Sequence, residues 1–79
     1  MENYYTREKI TYDLEIWYED GSNFHREDLL EVRTKRTRVY FWMGYGNYDY
    51  RSLNNVTRIK IERKVKTIKI DRNTHKEIE

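Results

Sequence analysis

Residues 10–19 read ITYDLEIWYE. Ile10, Tyr12, Leu14, Ile16 and Tyr18 fall on one side of an extended chain, and Thr11, Asp13, Glu15, Trp17 and Glu19 on the other. That period of two is the signature of a strand with one wet face. Asp20-Gly21-Ser22-Asn23 follows, and an Asp-Gly pair after such a strand is a strong hairpin signal. Phe24-His25-Arg26 then starts a short returning strand. Glu27-Asp28-Leu29-Leu30-Glu31-Val32 reads either as a helical turn or as a loop leading into a strand that begins near Leu30.

Further along, Thr34-Lys35-Arg36-Thr37 is a polar turn. Arg38–Met43 reads as a strand with Val39, Phe41 and Met43 on one face and Arg38, Tyr40 and Trp42 on the other. Both faces are apolar, so this strand is either central or exposed for binding. Gly44-Tyr45-Gly46-Asn47 breaks it, a short strand covers Asp49–Ser52, and Leu53-Asn54-Asn55 turns again. In residues 56–62, VTRIKIE, Thr57, Ile59 and Ile61 are in phase. The alternation then shifts near Lys66-Thr67, before Ile68 and Ile70, as a bulge or tight turn would make it do. Residues 71–79 read as a flexible polar tail. The expected fold is all-β: an antiparallel meander, or a small SH3-like or OB-like barrel, of five to six short strands. Closure into a barrel would set the first strand beside a late one, with Asp13 and Glu15 facing Arg58 and Lys60.

The chain of 79 residues is read as a single domain. Charged residues make up 38% and aliphatic, aromatic and sulfur residues 37%, a balance that by itself leans toward disorder. The aromatic share of 15% opposes that, because each ring buries a large area. Net charge is +2, but residues 1–31 carry nine acidic and three basic side chains, and residues 32–79 five acidic and thirteen basic. Such a split implies either internal pairing or a basic face that meets an anion. With no cysteine, no disulfide or thiolate site exists. No apolar run approaches the ~20 residues of a membrane span, and MENYYTREK lacks the apolar core of a secretory signal. These features fit a cytoplasmic protein with no membrane association.

Nothing in the chain reads as catalytic. His25 and His75 are surrounded by no motif, and Ser22 and Ser52 lie in no nucleophile-elbow pattern. There is no glycine-rich phosphate loop, no HExxH and no EF-hand spacing, so neither a cofactor nor a metal is expected.

The stretch VYFWMGYGNYDYRS, residues 39–52, holds four of the eight tyrosines and one of the two tryptophans. Tyr, Trp, Met and Arg are the residues that dominate interface hot spots. The leading expectation is therefore a protein partner bound through Trp17, Arg38, Tyr40, Trp42, Tyr45 and Tyr48. The alternative is a nucleic acid or nucleotide, held by Arg33, Lys35, Arg36 and Arg38 with Tyr40 and Trp42 as stacking rings. In the leading reading the chain is also expected to form a homodimer; a third reading is a structural subunit that builds an assembly through exposed sheet edges. Abundant Ile, Lys, Asn and Tyr with no Pro imply AT-rich codons. A short, Met-initiated chain of this kind resembles in style the small accessory proteins of phages and mobile elements, many of which inhibit a host factor.

Overall fold

The computed structural model describes residues 3–78. They form seven strands in two antiparallel sheets and no helix: β1 (Tyr4–Tyr18), β2 (Asn23–Leu29), β3 (Glu31–Lys35), β4 (Arg38–Trp42), β5 (Asp49–Ser52), β6 (Val56–Asp71) and β7 (Glu77–Ile78). The first sheet has the order β2-β1-β6-β7 and the second β3-β4-β5. The all-β class is as expected. The strands number seven rather than five or six, two of them are long, and the described residues form two open sheets with no closed barrel.

The alternation of residues 10–19 does what its period demands. Leu14 and Ile16 have no exposed surface, and with Leu29, Val39 and Phe41 they form the core. Tyr12, Tyr18, Phe24, Val32, Leu53 and Val56 pack around it. The second sheet therefore lies over β1 and β2 with the inner side chains of β4. This decides which side of residues 38–43 is inside: Val39 and Phe41 are buried, while Tyr40 and Trp42 face outward. Met43 ends up 40% exposed, because β4 stops at Trp42 before its phase can bring Met43 inward.

Two irregularities hid elements from the sequence. The β1–β2 register shifts between Tyr12 and Leu14, and Asp28 takes a left-handed φ of 58°. This bulge in residues 27–28 breaks the alternation across Glu27–Val32, which is strand on both sides of Leu30 rather than helical turn. In the second half, β6 is continuous where a bulge or turn was expected near Lys66-Thr67; its register break lies at Thr57, opposite Trp17 and Tyr18. The apolar side chains change face without a backbone break. Ile59, Ile61 and Val65 pair with Ile16, Leu14 and Ile10 on the core side, whereas Ile68 and Ile70 lie on the other side, opposite Arg7 and Tyr5.

The β1–β6 ladder runs far past the second sheet, and the described residues span 56 × 21 × 17 Å. After Asp71 the chain turns back into β7, which pairs with Lys69 and Ile70. Asp71 organises that turn: its Oδ1 accepts from the Asn73 amide at 2.7 Å and the Thr74 amide at 3.1 Å. Of the segment read as a tail, only Glu79 lies outside the described residues.

Part of the charge asymmetry is resolved inside this ladder. Glu15 sits opposite Lys60, but Asp13 sits opposite Glu62 and is reached diagonally by Lys64 Nζ at 2.9 Å. That ammonium also lies 3.6 Å from Asp28. The hydrogen bond from Lys64 holds the Asp13 carboxyl below its ordinary 3.8, and Asp13 in turn raises Lys64.

Candidate functional face

The outer face of β3-β4-β5 follows from the ladder register. Lys35 lies opposite Arg38, which lies opposite Ser52; Arg33 lies opposite Tyr40, which lies opposite Tyr50; Glu31 lies opposite Trp42. Residues directly opposite share a face, so Arg33, Lys35, Arg38, Tyr40, Trp42 and Tyr50 all point away from the core. The rings are held against one another. Tyr40 and Tyr50 centroids are 5.9 Å apart and tilted, and Trp42 and Tyr48 are stacked at 6.0 Å. The Arg38 guanidinium sits 4.7 Å above the Tyr50 ring, within cation–π range.

The loop after β4 is tied to this face. Trp42 Nε1 donates to the Gly46 carbonyl at 3.0 Å, and the Tyr48 hydroxyl donates to Glu31, which also accepts from Arg33 Nε. The Tyr48 hydrogen bond, with Arg33 assisting, keeps the Glu31 carboxyl below its ordinary 4.5 and pushes the Tyr48 phenol up. Glu31 is thus a spent charge, and the one carboxylate on the face. At the opposite end, Lys35, Arg36, Thr37, Arg38 and Tyr40 line a shallow open depression. Among the described residues no carboxylate pairs with Lys35, Arg36 or Arg38. Lys35 and Arg38 directly face each other, and like charges so placed repel.

Arg36 adds a backbone observation. It occupies a left-handed φ of 54° in the β3–β4 turn. Asp28, Asn55 and His75 share that conformation and belong to the residue types that tolerate it; arginine does not.

All six residues expected for a nucleic-acid face lie on this one sheet, five on its outer face and Arg36 in the turn between two of its strands. The set expected for a protein partner divides. Arg38, Tyr40, Trp42 and Tyr48 are together, and Tyr45 is 73% exposed in the adjoining loop. Trp17 is elsewhere, on the side of β1 away from the core, half-buried beneath the Arg58 guanidinium at 4.9 Å. Sequence reasoning missed Tyr50, although the Tyr48-x-Tyr50-x-Ser52 alternation is in step with Arg38-x-Tyr40-x-Trp42. Among the described residues no group of three His, Cys, Asp or Glu could hold a metal ion, and no helix is long and apolar enough to cross a membrane. The chain matches no family model, no curated protein and no solved structure.

Proposed function

We infer that the protein is a non-enzymatic recognition domain that binds single-stranded nucleic acid on the outer face of β3-β4-β5. One observation carries the reading: Arg33, Lys35, Arg36 and Arg38 converge with Tyr40, Trp42, Tyr48 and Tyr50 on one sheet, with Glu31 as the one carboxylate among them. Binders of single strands need cations that follow the phosphates beside rings on which bases stack. The small overall charge speaks weakly against this, because affinity depends on the local density of cations facing the phosphates. The reading needs one sheet face and does not depend on the SH3-like or OB-like closure expected from the sequence.

The test is fluorescence anisotropy with labelled single-stranded and double-stranded oligonucleotides over a salt series. Preferential single-strand binding that weakens steeply with salt, by a log–log slope of about −0.7 per phosphate contacted, supports the reading. No binding at low salt overturns it.

A protein partner on the same face is the second reading. It is favoured by the pre-set Trp42–Tyr48 stack and the exposed Tyr45 beside it, since rigid rings bind at low entropic cost. In that reading the chain is a phage-type or mobile-element inhibitor of a host factor in the cytoplasm. Single-strand competition for the same face separates the two.

A further inference from the structure

The four-stranded sheet ends on a long open edge. β7 covers β6 only at Lys69 and Ile70, so among the described residues the outer edge from Val56 to Ile68 has no strand beside it. At about 3.3 Å per residue that edge runs for roughly 40 Å. Its two faces differ. On the core side, past the limit of the second sheet, Ile59, Ile61 and Val65 are 37%, 44% and 49% exposed, with Arg63 between the last two. On the other side stand Arg58, Lys60, Lys64 and Lys66, interrupted by Glu62.

Charged side chains commonly protect an edge from aggregation. Here they occupy mainly one face; the other carries Ile59, Ile61 and Val65 without cover, with Arg63 as its one charge among them. An antiparallel second copy of β6 does not fit. Centred on Glu62, it sets Glu62 against itself, Lys60 against Lys64 and Arg58 against Lys66. Centred on Ile61, it sets Arg58 against Lys64 and Arg63 against Ile59, with Lys60–Glu62 as the favourable pair; centred on Arg63, it sets Arg63 against itself and Lys60 against Lys66, with Glu62–Lys64 as the favourable pair. Like charges directly opposite destabilise a ladder.

The complementary strand is one with apolar residues in one phase and carboxylates in the other. The molecule already contains that solution on the opposite edge of β6. There β1 sets Ile16, Leu14 and Ile10 against Ile59, Ile61 and Val65, and Glu15 against Lys60; Asp13 lies opposite Glu62, but Lys64 reaches it diagonally and offsets that one repulsive pair. We propose that the outer edge of β6 is a docking site for an acidic, alternating strand of a partner protein, added as a fifth strand to this sheet. The site is separate from the aromatic face and stands whether or not that face binds nucleic acid. Backbone hydrogen bonds supply affinity in such strand addition, and the alternate side chains supply selectivity.

The test uses the full chain and a synthetic peptide of sequence ITYDLEIWYE as probe, with a control in which its acidic residues are lysine. Amide hydrogen exchange read by NMR locates binding. The expected result is saturable one-to-one binding of the acidic peptide that slows exchange at alternate amides of residues 58–66, with no binding of the control. Lys66→Glu keeps the test free of folding loss: Lys66 lies opposite Lys9, so the variant replaces a repulsive pair with an attractive one. It should weaken peptide binding about threefold or more while leaving the fold intact. Protection confined to β1 and β2, which signals strand exchange, overturns the proposal. So does dimerisation through β6 without peptide, an oligonucleotide protecting the same amides in place of the peptide, or no binding at all.

Discussion

Ile16 and Ile59 face each other across the β1–β6 ladder on the same side of the sheet, yet Ile16 has no exposed surface and Ile59 keeps 37% of its own. The boundary of the second sheet runs between them. It covers β1 and β2 through Val39 and Phe41 and reaches β6 only at its first residue, Val56. Ile16→Ala should accordingly cost about 2–5 kcal/mol, through lost burial and the cavity left behind. Ile59→Ala should cost about 1 kcal/mol. Urea unfolding, with a shifted midpoint and an unchanged slope, measures both; equal losses would mean that the second sheet covers β6 as well.

Arg36 makes stability and binding move in opposite directions. Its left-handed φ of 54° costs a non-glycine residue about 1 kcal/mol, which glycine does not incur. Arg36→Gly should stabilise the chain by up to about that amount. It should also weaken single-strand binding and flatten its salt dependence by roughly one phosphate contact. A variant that gains stability and binds unchanged would remove Arg36 from the contact surface.

The strand of residues 10–19, the Asp20-Gly21 hairpin and the Asp49–Ser52 strand could be read directly, because period and turn chemistry agree there. Tyr4–Lys9 could not. YYTREK has no apolar alternation, and it is strand because β6 pairs with it beyond the cover of the second sheet. The inner face of β4 was also hidden. Val39 and Phe41 win over Tyr40 and Trp42 because Phe24 and Leu29 arrive from β2 to pack on them; Phe24 and Phe41 centroids lie 5.5 Å apart. Only the tertiary arrangement supplies those partners. Of the candidate site, the cations and rings were legible as a cluster, but Trp17 was set apart by a ladder register that its local sequence does not encode.

Asp13 ties acid stability to Lys64. Its folded pKa lies below 3.8, mainly through the hydrogen bond from Lys64, so the carboxylate's contribution is complete above that value. It is lost as pH falls through the lowered folded value. Lys64 behaves conversely: raised above its ordinary 10.5, it contributes fully below that pH and loses its contribution as pH rises through the folded value. Asp20 and Glu31 are lowered too and act in the same acid window. The diagnostic is therefore a difference. Asp13→Asn should be less stable than the parent at neutral pH, and the gap should close below pH 3.8. A gap independent of pH would show that Asp13 acts through the Asp28 amide it accepts from at 3.2 Å rather than through charge.

Tyr50 is the ring that most directly reports on the proposed face. It is 54% exposed, carries the Arg38 guanidinium and leans on Tyr40. Tyr50→Ala should leave stability within about 0.5 kcal/mol, as expected of an exposed position. Single-strand affinity should fall by about 1–3 kcal/mol, or roughly fivefold to 150-fold. Val39→Ala, one position away on β4 but pointing inward, should do the reverse. Loss of stability with Tyr50→Ala and no change in binding would make the ring a structural cover.

Gly44 and Gly46 flank Tyr45 in the loop that carries Tyr48 back to Trp42, and the two glycines should differ in tolerance. Gly46 has a φ of 69° with nothing within 4 Å of an added Cβ, close to the left-handed well that other residues visit at modest cost. Gly44 has a φ of 103°, outside that well, and an added Cβ would stand 2.8 Å from Leu30 Cδ1. The Leu30 side chain is 40% exposed and can swing away, so the contact adds less than the backbone does. Moving Leu30 nevertheless disturbs the link between the sheets, where the Leu30 amide donates to the Trp42 carbonyl at 2.8 Å. Gly46→Ala should therefore cost about 1 kcal/mol and Gly44→Ala about 2 kcal/mol or more. Because Trp42 stacks on Tyr48, the Gly44 variant should also red-shift tryptophan emission before global unfolding in a denaturant titration. Equal costs and coincident transitions would show that this loop does not set the geometry of the aromatic face.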